Sequence, residues 1–228
     1  MKLSLSIVVP MLNEEHAIAA TLLALRAGAP DSEIIVVDGG SSDRSLDVAD
    51  SICDLAFTAE RGRARQMNAG AARSGGDIIA FVHADTIVPP SFARDIAAAM
   101  ADERVAGGRF DVRLDDPHPL CVLIGFLMSL RSRVSRTATG DQAIFVRRHI
   151  FDSLGGFPDF PICEDLDFAR RMKRAGHVAC LRAKVTASAR RWRRGGILRT
   201  VFRMWTIRTL YLAGVSPARL ARHYSNVR

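Results

Sequence analysis

The chain has 228 residues, of which 48% are hydrophobic, so it can form one domain with an apolar core but is short for two. Its four cysteines are far apart and its six histidines lack His-x-x-x-His spacing, which excludes the sequence patterns of a zinc site and a disulfide framework. The net charge of +8 is uneven, because residues 1–118 carry 11 Lys and Arg against 18 Asp and Glu, whereas residues 119–228 carry 21 against 6. Such a basic half implies an anionic partner: nucleic acid, an anionic membrane leaflet or a phosphorylated substrate.

The first half of the chain alternates apolar strand-like segments with helical ones. Leu5–Val9 is predicted to be a strand that Pro10 ends, because proline has no amide hydrogen to donate to a ladder. Asn13 is predicted to cap a helix that runs to about Arg26. The later elements of this half are predicted strands at 33–37, 54–58 and 77–82, a helix start near Ser42 or Asp43, and a helix over 61–72. This alternation is typical of an α/β fold with a mostly parallel sheet flanked by helices.

The strand at 77–82 leads directly into a short polar turn that contains Asp85. In an open α/β sheet, ligands bind beyond the carboxyl ends of such strands, so Asp85 is predicted to lie at the edge of a ligand crevice. An alternative stays open, in which Asp85 caps a helix that starts near Pro89 and Pro90.

The second half is less regular and more basic. Its predicted elements are a strand at Val105–Leu114, a buried or interfacial helix at Leu120–Leu130, a strand at Ala143–Val146, a helix at Glu164–Ala175 ended by Gly176, a last strand at Val178–Ala187, and a mostly apolar helix after Gly195 and Gly196. The apolar run of Leu120–Leu130, eleven residues long, is too short to span a bilayer. We therefore expect a single domain with a helical, basic C-terminal segment.

Three carboxylate-bearing turns are predicted at strand ends: one with Asp38, one with Asp85, and one with Glu164 and Asp165. A nucleotide bound there needs an acceptor for its base or ribose, donors for its phosphates and an oxygen ligand for a divalent cation. Asp38 suits the first role, Arg65 the second and Asp85 the third. Each residue also has a plain structural interpretation, as a turn residue, a helix cap or a solvated helix start.

Four motifs together resemble the family 2 glycosyltransferases, which have the GT-A, Rossmann-like fold. They are Pro10-x-x-Asn13-Glu14, residues 37–43 (VDGGSSD), residues 83–86 (HADT) and Glu164-Asp165. Three further segments look more closely like a compact bacterial subgroup labelled radical-SAM/selenodomain-associated. These are residues 61–70 (RGRARQMNAG), 140–148 (GDQAIFVRR) and 188–192 (SARRW). The resemblance covers nearly the whole chain.

The resemblance implies inverting transfer of a sugar from a nucleotide-sugar donor to a hydroxyl acceptor. The residues that it implies at the nucleotide sugar are Pro10, Asn13, Glu14, Asp38, Arg65, His83 and Asp85. Asp85 takes the position of the Mg²⁺ or Mn²⁺ ligand in the family's Asp-x-Asp motif, and His83 departs from that motif where it has its first aspartate. UDP is the default nucleotide by family analogy.

The resemblance also implies an acceptor side, within residues 119–228, whereas residues 1–118 form the donor half. Asp165 matches the family's catalytic base, which removes the proton of the acceptor hydroxyl. The other residues implied at the acceptor or the diphosphate are Asp141, Gln142, Glu164, Arg191 and Trp192. Arg191 and Trp192 match the end of the Gln-x-x-Arg-Trp signature of processive synthases, but Ser188 replaces its glutamine, so we do not expect processive synthesis.

The leading hypothesis is a cytoplasmic enzyme at the inner membrane face, with a lipid-linked acceptor and a basic C-terminal half on anionic lipid. The N-terminus shows no signal-peptide pattern. Ordinary core packing or a dimer seam stays open for the apolar C-terminal segments. The alternatives for function are a non-catalytic protein that binds nucleic acid or membrane, and a nucleotidyltransferase. We expect no nucleic-acid partner, because the basic tract has no recognisable nucleic-acid motif.

Overall fold

A computed structural model describes residues 3–222. The strands are β1 (Leu5–Met11), β2 (Glu33–Asp38), β3 (Leu55–Thr58), β4 (Ile78–Phe81), β5 (Thr86–Ile87), β6 (Val105–Leu114), β7 (Ile144–Arg147) and β8 (His177–Ala187). The helices are α1 (Ile18–Gly28), α2 (Ser45–Asp50), α3 (Arg63–Arg73), α4 (Phe92–Met100), α5 (Pro119–Ser135), α6 (Arg148–Ser153), α7 (Glu164–Ala175), α8 (Arg190–Gly195), α9 (Ile197–Leu212) and α10 (Pro217–Ala221). One 3₁₀ turn, Gly140–Gln142, precedes β7.

The eight strands form one open sheet in the order β3-β2-β1-β4-β7-β6-β8-β5. Neighbours from β3 to β4 are parallel, β7 is antiparallel to β4 and to β6, β8 is parallel to β6, and β5 is antiparallel to β8. The predicted α/β class, with helices flanking the sheet and a helical basic C-terminal segment, is confirmed. Parallel pairing is continuous only in the first half, because β7 enters the sheet against the direction of β4.

Alternation along the central strands explains the core. Ile7 and Val9 point into one apolar layer, whereas Val8 points into the layer on the other face of the sheet. The same division separates Ile34 from Ile35 on the neighbouring strand. Strands covered on both faces become nearly continuous hydrophobic runs, which is the pattern seen in the sequence of this half.

Two predictions about the N-terminal loop are wrong. Strand β1 continues through Pro10 to Met11, because Pro10 follows the last β1 residue that pairs with β4 and so removes no ladder hydrogen bond. Asn13 caps no helix, since α1 begins five residues later with Ala17 at its N-cap. Instead Asn13 has a left-handed backbone, with φ of 53°, and its Oδ1 accepts a hydrogen bond from the Ser42 amide.

Two further helix starts differ from the prediction. Helix α2 begins at Ser45 rather than at Ser42 or Asp43, because the Asp43 side chain accepts from the Ser45 amide and holds a turn before the helix. Asp85 does not cap the next helix, since α4 begins at Phe92 and has Ser91 at its N-cap. The cap interpretation of Asp85 is therefore excluded.

Helix α5 is longer than the predicted apolar segment and packs on β6. It has 17 residues and retains the predicted run at Leu120–Leu130, part of which remains exposed. Across residues 3–222, no helix combines the length and the apolar character needed to cross a bilayer. The predicted limits of β6 and α7 are confirmed without change.

A fully buried arginine ties α5 to this sheet. Arg109 on β6 is 0% exposed, and its guanidinium pairs with Asp111 and donates to the Ser129 carbonyl of α5. Asp111 also accepts from Arg133 at 2.7 Å. One carboxylate thus compensates a guanidinium that has no access to solvent.

We predict that Asp111→Ala lowers the free energy of unfolding by about 3–5 kcal/mol, because it leaves the charge of Arg109 buried without its carboxylate. Urea denaturation of the purified protein measures this change. Asp102→Ala is the matched control, since Asp102 pairs with Arg104 at the surface, and the control should leave the urea midpoint unchanged. Equal midpoints for the two variants would contradict the prediction.

Candidate active site

Two loops that follow parallel strands are locked together at one edge of the sheet. Asp38, the last residue of β2, accepts hydrogen bonds from the Gly40 amide at 2.9 Å and the Ser41 amide at 2.8 Å. The Ser41 hydroxyl donates to the Asp38 carboxylate and accepts from the Asn13 amide, which follows β1. Asp38 is 2% exposed, so its first role is to shape this turn.

Gln66 of helix α3, a residue that the sequence analysis did not select, connects the ends of β1 and β2 through hydrogen bonds. Its amide nitrogen donates to the Met11 carbonyl at 2.7 Å and to the Val37 carbonyl at 2.8 Å. A Cβ on Gly39 would lie 3.1 Å from the Gln66 amide group, so glycine allows the close approach. No local pattern distinguishes Gln66 from a surface glutamine, because both acceptors lie on distant strands.

Arg190, at the start of α8, joins the β1 and β4 loops. Its guanidinium lies 2.6 Å from Glu14 Oε1 and 3.3 Å from Asp85 Oδ2. The hydrogen bond to Glu14, and then the charges of both carboxylates, raise the pKa of Arg190 although its partial burial opposes this. Asp85 and Arg190 also line a crevice together with Thr21 and Ser188.

A second cluster surrounds Asp165, at the start of α7. The Gly140 amide donates to Asp165 Oδ2 at 2.6 Å, and the Leu166 amide donates to Oδ1 at 2.6 Å. His83 approaches from the β4 loop, with its Nδ1 3.3 Å from Asp141 Oδ1. A Cβ added to Gly140 would lie 2.4 Å from His83 Nε2 and 3.6 Å from Asp165 Oδ2. Glycine at this position leaves free the space beside His83 and Asp165 that a side chain would enter.

The carboxylates in this cluster have different electrostatic environments. Burial alone raises the pKa of Asp141, but the hydrogen bond from His83 and the charges of His83, Arg191 and Arg63 outweigh it, so the pKa is lowered. Burial raises the pKa of Glu164, although Arg63 lies 3.1 Å from its Oε1. Glu164 faces Arg63 in the interior, whereas the adjacent Asp165 faces the Gly140 turn.

Not all predicted site residues join these clusters. Arg65 instead pairs with Asp159 at 2.7 Å and with Glu60. Gln142 is fully buried and donates to Ser132 Oγ at 2.8 Å. Trp192 packs against the main apolar core.

Arg63 and Arg190 form hydrogen bonds to site carboxylates. The prediction selected Arg65 rather than Arg63, and it considered Arg190 as an alternative to Arg191 for the diphosphate. Helix periodicity shows that Arg63 and Arg65 face different directions but cannot show which face is docked. The partner of Arg63 is 101 residues away in sequence and that of Arg190 is 176 residues away. Neither contact has a local signal.

Asp85 is the residue of this site that fits a divalent cation. Within residues 3–222, no three His, Cys, Asp or Glu side chains form a metal-binding group. Asp85 nevertheless offers a partly exposed carboxylate, the oxygen ligand that Mg²⁺ and Mn²⁺ prefer, and a bound diphosphate would supply further oxygens. A single carboxylate fits a cation that is held jointly by protein and ligand. His83 is placed differently, since its ring nitrogens face Asp141 and Gly140.

The family model described as Glycosyl transferase family 2 matches residues 6–148, well over half of the chain. Among curated proteins, the chain is 27% identical to "Probable glycosyltransferase YdaM" of Bacillus subtilis over 208 residues, covering 79% of this chain and 49% of that protein. It is 33% identical to "Uncharacterized glycosyltransferase alr2836" of Nostoc sp. over 84 residues, covering 34% and 26%. The chain thus spans about half the length of the first relative and about a quarter of the second.

Solved structures show the same fold at low sequence identity. The mannosyltransferase PcManGT from Pyrobaculum calidifontis, in complex with GDP-Man and Mn²⁺, superposes with a TM-score of 0.67 and 18% identity, covering 92% of this chain and 61% of that one. S. aureus TarS 1–349, in complex with UDP-GlcNAc, gives 0.63 and 19%, covering 81% and 58%. These neighbours confirm the predicted GT-A fold.

We predict that Gly140→Ala lowers the free energy of unfolding by about 1–3 kcal/mol, because the new methyl group overpacks the space beside His83 and Asp165. Urea denaturation measures the loss, and a crystal structure should show a longer Gly140–Asp165 hydrogen bond. Gly75→Ala is the matched control, since a Cβ there meets no atom within 4 Å. Equal free energies of unfolding for the two variants would contradict the tight packing around Gly140.

Proposed function

The chain belongs to glycosyl transferase family 2, and from this premise we propose that it transfers a sugar, with inversion, from a nucleotide-sugar donor to a hydroxyl acceptor. One observation carries the proposal. The short loop after β4 brings Asp85 against Arg190 and Glu14, and brings His83 against the turn that holds Asp165. The tripeptide His83-Ala84-Asp85 thus links the two groups: Asp85, the candidate cation ligand, is at one end, and His83, which contacts the turn that holds the candidate base Asp165, is at the other. Such a link suits a diphosphate and an acceptor held on opposite sides of a sugar.

The donor half, residues 1–118, is proposed to hold the nucleoside between the loops after β1 and β2. Support comes from the locked pair of loops at the carboxyl ends of parallel strands, the general location of nucleotide sites in α/β sheets. The residues that we propose to line this pocket are Pro10, Asn13, Glu14 and Asp38. The named complexes of structural neighbours contain UDP-GlcNAc, UDP or GDP-Man. We retain UDP as the proposed nucleotide by family analogy.

The diphosphate is proposed to lie near Asp85 and Arg190. A guanidinium binds phosphate oxygens through paired donors, and Arg190 already lies between two carboxylates at this edge of the crevice. We propose Arg190 ahead of Arg65, because Arg190 contacts Asp85, the candidate cation ligand, whereas Arg65 pairs with Asp159 and Glu60. A bound Mg²⁺ or Mn²⁺ at Asp85 would supply Lewis-acid stabilisation of the leaving diphosphate.

Asp165 is proposed to be the catalytic base. The acceptor hydroxyl forms the new bond to the anomeric carbon while the bond from that carbon to the diphosphate oxygen breaks, and the hydroxyl proton passes to Asp165. The nucleoside diphosphate departs with the bonding electrons. The Gly140 and Leu166 amides hold the Asp165 carboxylate in place during this single displacement, which inverts the anomeric configuration. Arg191 and Trp192 are proposed to lie on the acceptor or diphosphate side.

The acceptor is proposed to be lipid-linked, and the enzyme to work at the cytoplasmic membrane face. Helices α5 and α9 are linked near their ends, since Asp115 before α5 pairs with Arg193 of α8, the helix that precedes α9, and Thr137 after α5 contacts Arg208 of α9. Of the fifteen exposed large hydrophobic residues in the described chain, seven lie on α5 and five on α9. Exposed arginines lie on or beside the same helices, so an anionic lipid surface fits both the apolar and the charged groups.

We also propose membership of the compact bacterial subgroup labelled radical-SAM/selenodomain-associated. The motifs at residues 61–70, 140–148 and 188–192 support it, and in the fold these segments converge. The first supplies Arg63, the second Gly140 and the third Arg190, all of which contact site carboxylates.

Paired variants test the separate roles of the two carboxylates. We predict that Asp165→Asn keeps nucleotide-sugar binding but reduces transfer at least 100-fold, because an amide cannot accept the hydroxyl proton. Asp85→Ala should instead weaken nucleotide binding in the presence of Mn²⁺ and abolish its dependence on the metal. Calorimetry with UDP, with and without Mn²⁺, measures binding, and turnover of UDP-sugars measures transfer. An Asp165→Asn protein with normal turnover would overturn the base assignment.

Flotation with vesicles tests the membrane proposal. We predict that the protein floats with phosphatidylglycerol vesicles at low salt and much less with phosphatidylcholine vesicles. Phe202→Ser combined with Trp205→Ser should reduce binding at least tenfold, because both side chains are mostly exposed and aromatic burial is lost. Leu23→Ser, which removes an exposed apolar residue from α1, is the control. No binding to either vesicle rejects the proposal, and a dimer in size-exclusion chromatography that the aromatic pair abolishes would assign the surface to a second copy.

A further inference from the structure

Two arginines next to Asp165 have no carboxylate partner in the described chain. Arg131 lies on α5 and Arg208 on α9, and both are partly buried. Within residues 3–222, neither forms an ion pair within 4 Å, and the buried Nε of Arg131 has no hydrogen-bond partner. In the same residues, Arg208 forms one side-chain hydrogen bond, a long one of 3.5 Å to Thr137 Oγ1.

Both arginines lie near enough to Asp165 for its charge to act on them, and the packing of their neighbours brings α5 and α9 to the elements that hold Asp165. Ser132, adjacent to Arg131, accepts a hydrogen bond from Gln142, and Gln142 ends the turn whose Gly140 amide donates to Asp165. Helix α9 is fixed against the other side of Asp165 in the same way. Ile207, adjacent to Arg208, packs in a small buried cluster with Ile162, three residues before Asp165.

The Tyr211 hydroxyl, one helical turn beyond Arg208, donates to Asp167 Oδ1 at 2.9 Å. Helices α5 and α9 thus both pack on elements next to Asp165, and each helix carries one of the two arginines.

The local carboxylates are already engaged by other groups. Glu164 pairs with Arg63, Asp141 faces His83, and Asp165 accepts from two backbone amides. Desolvation, and then the charge of Arg208, lower the pKa of Arg131 to about 10, and desolvation also lowers the pKa of Arg208. The charge of Asp165 raises both pKa values but does not outweigh burial. Such a site is stabilised by an anionic ligand.

We infer that Arg131 and Arg208 form a phosphoryl-binding subsite on the acceptor side of Asp165. The acceptor then carries a phosphate or diphosphate group close to the hydroxyl that receives the sugar. Guanidinium groups bind phosphate oxygens through paired, charge-assisted hydrogen bonds, which suits two arginines that converge from neighbouring helices. The inference rests on the proposed function, because it takes Asp165 as the residue that faces the acceptor.

The two helices also indicate how an acceptor of this kind would lie. Both arginines belong to helices whose outer faces expose apolar side chains, among them Leu127 on α5 and Trp205 on α9. An apolar chain attached to a phosphoryl group at the subsite would therefore lie along these faces. A small phosphorylated acceptor without such a chain would use the arginines alone, and the experiment separates the two sources.

Calorimetry with inorganic phosphate and with hexyl phosphate tests the subsite, in the presence of saturating UDP so that the donor site is filled. We expect both probes to bind the wild-type protein, and Arg131→Gln with Arg208→Gln to weaken binding at least tenfold. Tighter binding of hexyl phosphate than of phosphate indicates a lipid-linked acceptor, and equal binding indicates a small phosphorylated one; either result supports the subsite. Hexanol, which lacks the phosphoryl group, should not bind.

The matched control is Arg199→Gln, which removes the same charge from an exposed position of α9 and should leave phosphate affinity unchanged. The lysine variants of both site arginines keep the charge, so they should fold like the wild type and bind the probes with intermediate affinity. Phosphate affinity that is unchanged in the double glutamine variant, or lost equally in Arg199→Gln, overturns the subsite. UDP binding without phosphate is measured separately: its absence in the wild type would count against the proposed function, whereas normal UDP binding with arginine-independent phosphate binding overturns the subsite alone.

Discussion

The hydrogen bond from the Gly140 amide to Asp165 is the contact on which the site depends. It is possible because β7 runs antiparallel to β4 with Ile144 opposite Phe81, so the turn that enters β7 meets the loop that leaves β4. Gly140 has no side chain, and the space is filled by His83 from that loop. One reversal of strand direction thus brings the β4 loop and the α7 N-terminus, separated by about 80 residues of sequence, to the same point.

The uneven charge of the chain is partly resolved inside the molecule. Glu14 and Asp85 come from the acidic half, and the guanidinium between them comes from the basic half. Arg63 and Glu164 reverse the arrangement, with the arginine in the first half. The site is therefore built at the meeting of two oppositely charged halves. Arg131 on α5 and Arg208 on α9 form no ion pair within 4 Å in residues 3–222, and they retain positive charge that a phosphorylated or lipid ligand would match.

The sequence predicted the elements whose limits are set by strong local signals. Alternation defines β6, and Gly176 ends α7, so both were predicted with their observed limits. The rule that proline ends a strand failed at Pro10, because β4 stops pairing before Pro10 and no ladder hydrogen bond is lost. The rule that asparagine caps a helix failed at Asn13, because its side chain instead accepts a hydrogen bond from the Ser42 amide in the loop after β2. In the site, Asp38 and Asp85 were placed correctly at the sheet edge. The contacts of Arg63 and Arg190 depend on the docking of distant elements, which no local pattern encodes.

A crystal structure of the protein with Mn²⁺ and a UDP-sugar tests the central claim most directly. The account predicts the nucleoside between the β1 and β2 loops, the diphosphate and cation at Asp85, and the anomeric carbon of the sugar facing Asp165 across the space beside His83. A nucleotide sugar bound with its anomeric carbon on the far side of Asp85 from Asp165, or bound outside this edge of the sheet, would contradict the account.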